Sequence, residues 1–434
     1  MATKELDVTN SAFSSNLWRN TAGEALEHTT LNEDQVVDTV IIGGGFTGVS
    51  AALELAQQGC HVTLLEANDI GYGGSGRNVG LVNAGLWMEP EKIEKRLGKT
   101  AGEKINTMLA RGPELVFANI ERFGIDCELT RTGTLHCAHS ARGLSNLKDR
   151  LRQYQARGLQ AELLSREATA AKTGTSLYRG AIWHPSMGTI QPLAYIRGLT
   201  RAAVSAGASV YQDTPVVSIG RAGSRWRVRT PTNTVEANGI LLATNAYHRD
   251  LSVANATPQY TPVYFFQAAT RPLPEAASAG ILPERQGCWD TATIMTSLRR
   301  DRAGRLIIGA VGNIEGATRG IHYQWAKHRL RRMFPCLETV DFEYAWHGRI
   351  AYAADHVPHL VKFGPHALSV FGYSGRGIGP GAVFGKAAAE YLLSGDETVL
   401  PLKPSTAYRE SFTALKSHYY EFGASTMHGV TRLI

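Results

Sequence analysis

The hydrophobic pattern is clearest in residues 39–66, where it predicts a strand, a turn, a helix and a second strand. Residues 39–42 (TVII) form a short apolar, β-branched run that is typical of a buried parallel strand. From Val49 onward the apolar residues recur at helical spacing, and Gly59 is expected to end the helix. A second strand over residues 61–65 then ends at Glu66.

The turn inside this unit has the form GxGxxG, with its required glycines at Gly43, Gly45 and Gly48. Gly43 suits the tight turn, Gly45 lets the backbone approach a pyrophosphate, and Gly48 lets helix and strand pack closely. Glu66 lies 66 − 48 = 18 residues further on, about where an acid reaches a ribose 2′-hydroxyl. The unit therefore predicts a dinucleotide site, with FAD and NAD both open and NADP disfavoured.

Two glycine-rich loops lie far apart in the sequence. Residues 71–87 (GYGGSGRNVGLVNAGLW) interleave Ser75, Arg77 and Asn78 with glycines, which favours a backbone wrapped around a ligand over a flexible linker. Residues 371–381 (FGYSGRGIGPG) enter a predicted helix over 382–394 and add backbone donors at its N-terminus. An elongated cofactor held at both ends, such as FAD, explains two such loops better than NAD does.

Elsewhere the pattern predicts helices over 90–125, 141–172, 192–206 and roughly 324–333. Residues 256–345 alternate with period two, which indicates an antiparallel sheet. The basic residues of 141–172 are interpreted as a solvated helix face, with membrane contact as the alternative. The aromatic segment 417–422 permits either membrane docking or ordinary packing.

Composition narrows the class of protein. The 434 residues carry a net charge of +7, which favours anionic partners, but no basic run or module points to nucleic acid. Five scattered cysteines without a CxxC pair indicate a reducing compartment and no structural metal. Because neither a signal peptide nor an apolar run of membrane-spanning length is found, we expect a cytoplasmic protein, soluble or peripheral on the membrane.

The stretches GGGFTGVSAALELAQQGCHVTLLEA, GYGGSGRNVGLVNAG, LLATNAY and GYSGRGIG, in this order, carry a family resemblance. The chain resembles the FAD-dependent D-amino-acid oxidase-like superfamily, in the branch of gamma-glutamylputrescine oxidase, sarcosine oxidase and bacterial L-pipecolate oxidase. The resemblance implies an α/β fold, with a Rossmann-like FAD-binding domain of discontinuous segments and a β-rich substrate domain. The implied division is an N-terminal arm (1–35), an FAD-binding domain (36–90, 175–255 and 346–400), a substrate domain (91–174 and 256–345) and a C-terminal segment (401–434).

The same resemblance implies which residues contact FAD. Gly43, Gly45 and Gly48 would hold the pyrophosphate, Glu66 the ribose, Val217 the adenine, and the 375–378 loop the flavin ring. The full implied set is Gly43, Gly45, Phe46, Thr47, Gly48, Glu66, Ala67, Gly74, Ser75, Gly76, Arg77, Asn78, Val79, Gly80, Leu81, Val217, Thr244, Asn245, Gly375, Arg376, Gly377 and Ile378. Some relatives attach flavin through a cysteine before the final glycine loop, where this chain has Arg349, so we expect noncovalent FAD.

Substrate recognition is predicted from residues 346–349, whose WxG-R arrangement resembles the place where amino-acid-oxidising relatives hold a carboxylate with arginine. Arg349 is therefore the candidate carboxylate ligand, and an ordinary ion pair is the alternative. Arg376 is a candidate for the substrate carboxylate or the flavin. His347, Tyr264 and Tyr352 are candidate pocket residues or ordinary packing.

The expected reaction is oxidation of an amino acid C–N bond by hydride transfer to flavin N5, with oxygen or a quinone as electron acceptor. L-Pipecolate, a cyclic secondary amino acid, is the favoured substrate. Gamma-glutamylputrescine or another amine is the alternative. Two alternatives of other classes are an electron-carrying flavoprotein subunit without its own substrate and an NAD-linked dehydrogenase. The sequence leaves the oligomeric state open.

Overall fold

The computed structural model of the chain describes residues 16–249, 251, 257–337, 339 and 341–433. Most of the predicted N-terminal arm, residues 1–15, therefore lies outside the described residues. The part that is described includes a short helix whose Leu17 and Trp18 are fully buried.

The helices and strands are numbered separately in chain order. The helices are α1 (Leu17–Thr21), α2 (Phe46–Gln57), α3 (Pro90–Leu97), α4 (Lys99–Ala110), α5 (Gly112–Arg122), α6 (Ala141–Gln155), α7 (Arg166–Thr173), α8 (Pro192–Ser205), α9 (Glu275–Ser278), α10 (Arg319–Met333), α11 (Ile378–Ser394) and α12 (Thr413–Leu433). The strands are β1 (Gln35–Ile42), β2 (Val62–Leu65), β3 (Leu81–Val82), β4 (Thr134–Cys137), β5 (Glu162–Leu164), β6 (Ala181–His184), β7 (Gly188–Thr189), β8 (Ser209–Tyr211), β9 (Ser218–Ala222), β10 (Arg225–Arg229), β11 (Thr234–Leu242), β12 (Thr261–Thr270), β13 (Gly287–Asp290), β14 (Ser297–Arg300), β15 (Leu306–Val311), β16 (Phe342–Tyr352), β17 (His359–Gly364) and β18 (Ala367–Phe371).

The first sheet has the strand order β17-β18-β11-β1-β2-β8, with the β9-β10 hairpin beside β11. Strands β18, β11, β1, β2 and β8 pair in parallel, so their carboxyl ends lie at one edge. There Ile42 pairs with both Leu65 and Leu242. Ligands of open parallel sheets bind at this edge, which confirms the predicted Rossmann-like unit.

The second sheet has the order β16-β12-β15-β14-β13-β4-β6-β5 and confirms the predicted β-rich domain. The strands of 256–345 pair with one another in antiparallel fashion, as expected, and the one parallel pair of this sheet among the described residues joins β13 to β4, outside that range. These strands come from distant parts of the chain, so no hairpin forces them to run in opposite directions.

The implied domain boundaries differ from the observed packing at three places. Residues 346–352 belong to β16 and residues 181–184 to β6, and both strands lie in the second sheet. Helix α5 instead packs on α11, and its buried Val116 and Phe117 share a core with α2 and α11. The sequence pattern marks that these residues are buried but does not say against which sheet.

The charged stretch 141–172 is not one helix. It divides into α6, the short strand β5 and α7, and Ser165 caps α7 by accepting a hydrogen bond from the Ala168 amide. The predicted helix over 324–333 begins earlier, at Arg319 in α10. The helix predicted over 382–394 likewise begins earlier, at Ile378 in α11, so the second glycine loop is shorter than its sequence indicates.

Helix α12 is held to the substrate domain by polar contacts from one side. Glu421 Oε1 accepts a hydrogen bond from Thr318 Oγ1 (2.8 Å) and lies 2.9 Å from His322 Nε2. His322 Nδ1 in turn lies 2.7 Å from His428 Nδ1, and the His428 ring stacks on Trp325 with its centroid 4.0 Å away. Together these contacts fix the side of α12 that faces α10.

No helix among the described residues is long and apolar enough to span a bilayer.

Burial lowers the pKa of His428 to about 3, and it lowers that of His184 to about 3 as well. Because the unfolded chain takes up these protons near pH 6.5, the free energy of unfolding should fall as the pH drops below 6.5. The expected loss is about 1 kcal/mol per histidine and pH unit between pH 6 and 5. Urea unfolding at pH 7, 6 and 5 measures it. His428→Phe keeps a ring on Trp325 and should remove the contribution of one histidine, about 1 kcal/mol per pH unit between pH 6 and 5; an unchanged slope would contradict the assignment to His428.

Candidate active site

One cavity of about 1430 Å³ lies between the two sheets and joins nearly all of the predicted site. The carboxyl edge of the first sheet contributes Gly43 and Thr244 to its wall, and the second sheet contributes Phe265 and Ile350. The predicted dinucleotide site and the predicted substrate domain therefore share a single space, as a flavin enzyme requires.

The glycine turn after β1 has the close contacts that the fingerprint predicts. Gly43 has φ +112°, and its amide donates to Leu65 O (2.9 Å). A Cβ on Gly48 would lie 2.0 Å from Gly43 O, so only glycine fits there. The first turn of α2 has no side-chain cap at Gly45, which leaves a helix N-terminus directed at the cavity. This cradle suits a pyrophosphate.

Glu66 is fixed by the same turn. Its Oε2 accepts a hydrogen bond from the Gly44 amide (2.7 Å) and its Oε1 one from the Asn68 amide (3.0 Å). Burial raises the pKa of Glu66 although both amides favour its ionised form. Glu66 lies at the end of β2 on the cavity wall, and its role as the ribose ligand stays a prediction.

The first glycine loop is held in shape by its own polar side chains. Ser75 Oγ accepts a hydrogen bond from the Phe46 amide (3.0 Å), while Asn78 Nδ2 donates to Gly74 O and Ser75 O (both 2.9 Å). Arg77 donates to Tyr72 O (2.7 Å) and to His347 O (3.2 Å), which ties the loop to β16. Asn78 and Arg77 therefore organise the loop at the cavity wall.

The second glycine loop brings a second helix N-terminus to the same cavity. Gly375 has φ +98°, and α11 begins three residues later at Ile378 without a side-chain cap. Helix α11 lies against α2, where a Cβ on Gly385 would approach Thr47 O to 2.4 Å. Two uncapped helix N-termini beside one cavity fit an elongated anionic cofactor.

Most of the predicted cofactor residues meet at this cavity. The predicted residues that line it are Gly43, Gly45, Phe46, Thr47, Glu66, Ala67, Gly74, Ser75, Arg77, Asn78, Val79, Leu81, Thr244, Asn245, Gly375, Arg376, Gly377 and Ile378. Gly48, Gly76 and Gly80 lie behind the wall, where a Cβ would come within 2.3 Å of a backbone oxygen. Their place supports a packing role in shaping the loops.

The prediction for Val217 was wrong in register by one residue. Val216 lines the cavity, whereas the Val217 side chain is 48% exposed and its amide donates to Arg229 O (2.8 Å). Successive side chains point to opposite sides of an extended backbone, so only one of the two valines can face the cavity.

Two of the predicted pocket residues lie on the wrong face of the second sheet. In the β12-β16 pair, Val263, Phe265 and Gln267 face the cavity together with Gly348 and Ile350. Tyr264 and His347 occupy the alternating positions, where their rings contact each other with centroids 5.6 Å apart. His347 also lies near Glu315 (3.7 Å). Of the two alternatives for Tyr264 and His347, these positions match ordinary packing and not the pocket.

Arg349 lines the cavity at an exposed position. Its side chain is exposed and lies over the Tyr247 ring, 4.8 Å from the ring centroid, while its amide donates to Tyr247 Oη (3.0 Å). The neighbour that turns inward from β16 is the uncharged Ile350. This placement does not support Arg349 as the carboxylate ligand. Tyr352 does line the cavity and contacts Tyr420 of α12.

Arg376 lies in the cavity wall, only 7% exposed. It donates to Leu86 O (3.1 Å) and Ala84 O (2.6 Å), and its guanidinium lies 4.7 Å and 5.4 Å from the ring centroids of Trp87 and Trp289. None of the ion pairs among the described residues includes it, and its Nε has no hydrogen-bond partner there. Burial lowers the pKa of Arg376 to about 10, so the group is still charged at pH 7.

The sequence analysis missed three residues of the substrate side. Trp289 and His136 stack on each other with centroids 5.0 Å apart and line the cavity, as does Gln267, which is buried with an unpartnered Oε1. A glutamine among the apolar residues of β12 was a usable signal, because it shares the period-two face of Val263 and Phe265. Trp289 and His136 lie opposite each other in β13 and β4, and the sequence pattern did not predict that these two strands pair.

Neither the cysteines nor the one three-ligand cluster found among the described residues lines this cavity. None of the five cysteines, all within the described part of the chain, lines it, and noncovalent attachment of FAD stays a prediction. His28, Asp69 and Asp213 bring three ligand atoms within 4.8 Å of one another at the surface. Ion pairs of His28 with Asp213 (2.9 Å) and of Arg19 with Asp69 (2.7 Å) account for this group.

Comparison with known proteins places the chain in a family. The model of the FAD-dependent oxidoreductase family named DAO matches residues 38–391. Gamma-glutamylputrescine oxidoreductase of Escherichia coli is 29% identical over 90% of this chain and 93% of its own length. The probable oxidoreductase OrdL of Haemophilus influenzae is 27% identical over the same shares of the two chains. The crystal structure of glycine oxidase from Geobacillus kaustophilus has a TM-score of 0.69 at 22% identity, covering 87% of this chain and 99% of that one.

The family match covers both glycine loops, and the two uncapped helix N-termini at one cavity fit the cofactor that it names. The prediction of FAD is thereby confirmed. This chain belongs to the DAO family of FAD-dependent oxidoreductases.

Proposed function

We propose that this enzyme oxidises the C–N bond of an amine that carries an anionic group, and that Arg376 binds this group. One observation carries the proposal. Arg376 is a buried cation on the cavity wall without a carboxylate partner among the described residues, and it stands in the loop that is predicted to contact the flavin ring. A buried cation of this kind is stabilised by an anion that enters with the substrate.

The chemistry that FAD supplies here is acceptance of a hydride from the carbon next to an amine nitrogen. The chain itself has to orient that carbon and keep water away. Trp87 and Trp289 flank Arg376 and cover the anion site with apolar surface. The unpartnered Oε1 of Gln267 is available to accept a hydrogen bond from the substrate nitrogen.

Two substrates follow from this arrangement. L-Pipecolate remains a candidate if Arg376 replaces Arg349 as the ligand of a carboxylate next to the reacting carbon. Gamma-glutamylputrescine, whose carboxylate lies far from the reacting amine, is the second candidate. It is favoured by the Escherichia coli relative. The exposed position of Arg349 removes the main reason to prefer pipecolate. Oxygen and a quinone both remain candidate electron acceptors.

Anaerobic bleaching of the flavin absorbance band tests the proposal. The purified protein is mixed separately with L-pipecolate, D-pipecolate, sarcosine, proline, gamma-glutamylputrescine and putrescine. We expect rapid bleaching by a substrate that carries a carboxylate and at least tenfold slower bleaching by putrescine, which carries none. Bleaching by putrescine alone would overturn the anion site. Bleaching by dithionite but by none of the amines would favour an electron-carrying flavoprotein.

A further inference from the structure

Helix α12 carries an apolar stripe on its outward face, and the stripe begins at the residue directly before the helix. It is formed by Phe412, Leu415, Tyr419, Phe422 and Val430. The first four of these side chains are 67–76% exposed. Leu415, Tyr419 and Phe422 are spaced three or four residues apart and so share one helix face, and Val430 extends that face two turns further. Phe412 stands directly before the helix begins. Exposed apolar patches of this kind on a soluble domain mark an interaction surface.

The opposite face of α12 shows that the stripe is not a poorly packed core. Glu421, Ala424 and His428 point toward α10 and the second sheet, where Glu421 and His428 make the contacts described above. The helix is therefore fully docked on its own domain. The apolar stripe remains exposed, so a partner that covers it has to come from outside the described residues.

The charged side chains of the same segment indicate which kind of partner would cover the stripe. The two carboxylates of 401–433, Glu410 and Glu421, are both turned inward, where Glu410 pairs with Lys416 (3.2 Å) and Glu421 with His322 (2.9 Å). Lys403 and Arg409 are exposed. An apolar stripe with cations beside it and its acids withdrawn matches an anionic lipid surface, and it would place like charges together in a pair of identical stripes.

A basic helix, α3, borders the same cavity as α12. Lys92, Lys95 and Arg96 of α3 are exposed and line the cavity, as do Tyr419 and Met427 of α12. The two helices are linked through neighbours: Arg96 acts on His356 electrostatically, the His356 ring contacts Tyr352 (4.8 Å), and Tyr352 contacts Tyr420 (5.4 Å). Through Tyr419, the apolar stripe therefore borders the same cavity as these cations.

We propose that this enzyme docks on an anionic bilayer surface through the stripe Phe412, Leu415, Tyr419, Phe422 and Val430. The stripe lies in the headgroup region, and the cations of α3 with Lys403 and Arg409 contact lipid phosphates. Tyrosine at such a boundary places its ring in the apolar layer and its hydroxyl in water. In this orientation the cavity opens toward the bilayer. The inference does not depend on the identity of the substrate.

Vesicle flotation of the FAD-loaded enzyme tests the docking. Vesicles of neutral phosphatidylcholine are compared with vesicles that contain about 30% phosphatidylglycerol, each at about 50 mM and about 500 mM NaCl, a range over which surface charge becomes screened. We expect the bound fraction to be at least tenfold higher on the anionic vesicles at low salt and to fall at high salt. Absent binding, or equal binding to both kinds of vesicle, would overturn the proposal.

Leu415→Ser combined with Phe422→Ser removes the centre of the stripe without touching a residue that lines the cavity. We expect at least a tenfold drop in the bound fraction. Val204→Ser is the matched control, because Val204 is an exposed apolar residue on α8 and should leave binding unchanged. If the double variant bound the anionic vesicles as well as the parent enzyme does, the assignment of the stripe would be contradicted. A change from dimer to monomer in light scattering, with no vesicle binding by the parent enzyme, would assign the stripe to a second copy instead.

Discussion

Gly48→Ala is expected to yield a protein that binds FAD at least 100-fold more weakly and purifies largely colourless. The added Cβ would lie 2.0 Å from Gly43 O. The backbone of both residues is fixed, because Gly43 directly follows β1 and Gly48 lies in α2. Relief requires moving the turn that forms the pyrophosphate cradle. A 100-fold loss corresponds to about 2.7 kcal/mol, within the range of roughly 1–3 kcal/mol for forced overpacking in a core.

The measurement is flavin content after purification, followed by titration of the apoprotein with FAD. Gly320→Ala is the matched control, since Gly320 also lies in the first turn of a helix but has no atom within 4 Å of the position that its Cβ would take. Circular dichroism separates loss of cofactor from loss of fold. A folded Gly48→Ala protein that retains a full complement of FAD would contradict the proposed cradle.

Arg376→Gln is expected to lower kcat/KM for the anionic substrate by about 100- to 1,000-fold, or roughly 3–4 kcal/mol. Removing one partner of a buried charge pair costs about 2–5 kcal/mol, and the anion would then face a desolvated wall. Glutamine is polar but uncharged and shorter than arginine. Its Nε2 lies about where Nε of Arg376 lies, so the backbone carbonyls of Ala84 and Leu86 also lose the donor that Nη1 provides.

Arg349→Gln is the matched control for this change, and a loss below about threefold is expected because its side chain is exposed and rests on Tyr247. Steady-state kinetics with each variant, together with the flavin spectrum, provide the measurement. Equal losses in the two variants would remove the special role of Arg376. A shifted flavin spectrum in Arg376→Gln, with little effect on KM, would assign Arg376 to the flavin instead of the substrate.

The cofactor site was the part most accessible to sequence reasoning, because each of its requirements is local. Gly43, Gly45 and Gly48 need only their own strand, turn and helix, and Glu66 ends the next strand of the same unit. Both glycine loops could be recognised for the same reason. Val217 shows the limit of local reasoning, since a shift of one residue in an extended segment reverses the direction of the side chain.

Residues 345–352 show what local reasoning could not decide. The order of residues in this segment favoured Arg349, but the pairing of β16 with β12 turns Gly348 and Ile350 inward and leaves Arg349 at an exposed position. The face of a strand that meets a ligand depends on the partner strand and on the domain that covers it, and neither is written in the segment itself. The same pairing places Tyr264 and His347 on the outer face.

The amino-acid sequence by itself determined the dinucleotide unit, the second helix N-terminus at the far glycine loop and the family of the chain, because these depend on backbone conformations that nearby residues impose. Only the tertiary structure decided that α5 packs on α11, that Gln267, Trp289 and His136 share a wall with Arg376, and that the acids of the 401–433 segment turn inward. These are contacts between residues distant in sequence. They are set by which surfaces exclude water together, and no single stretch of the chain contains that information.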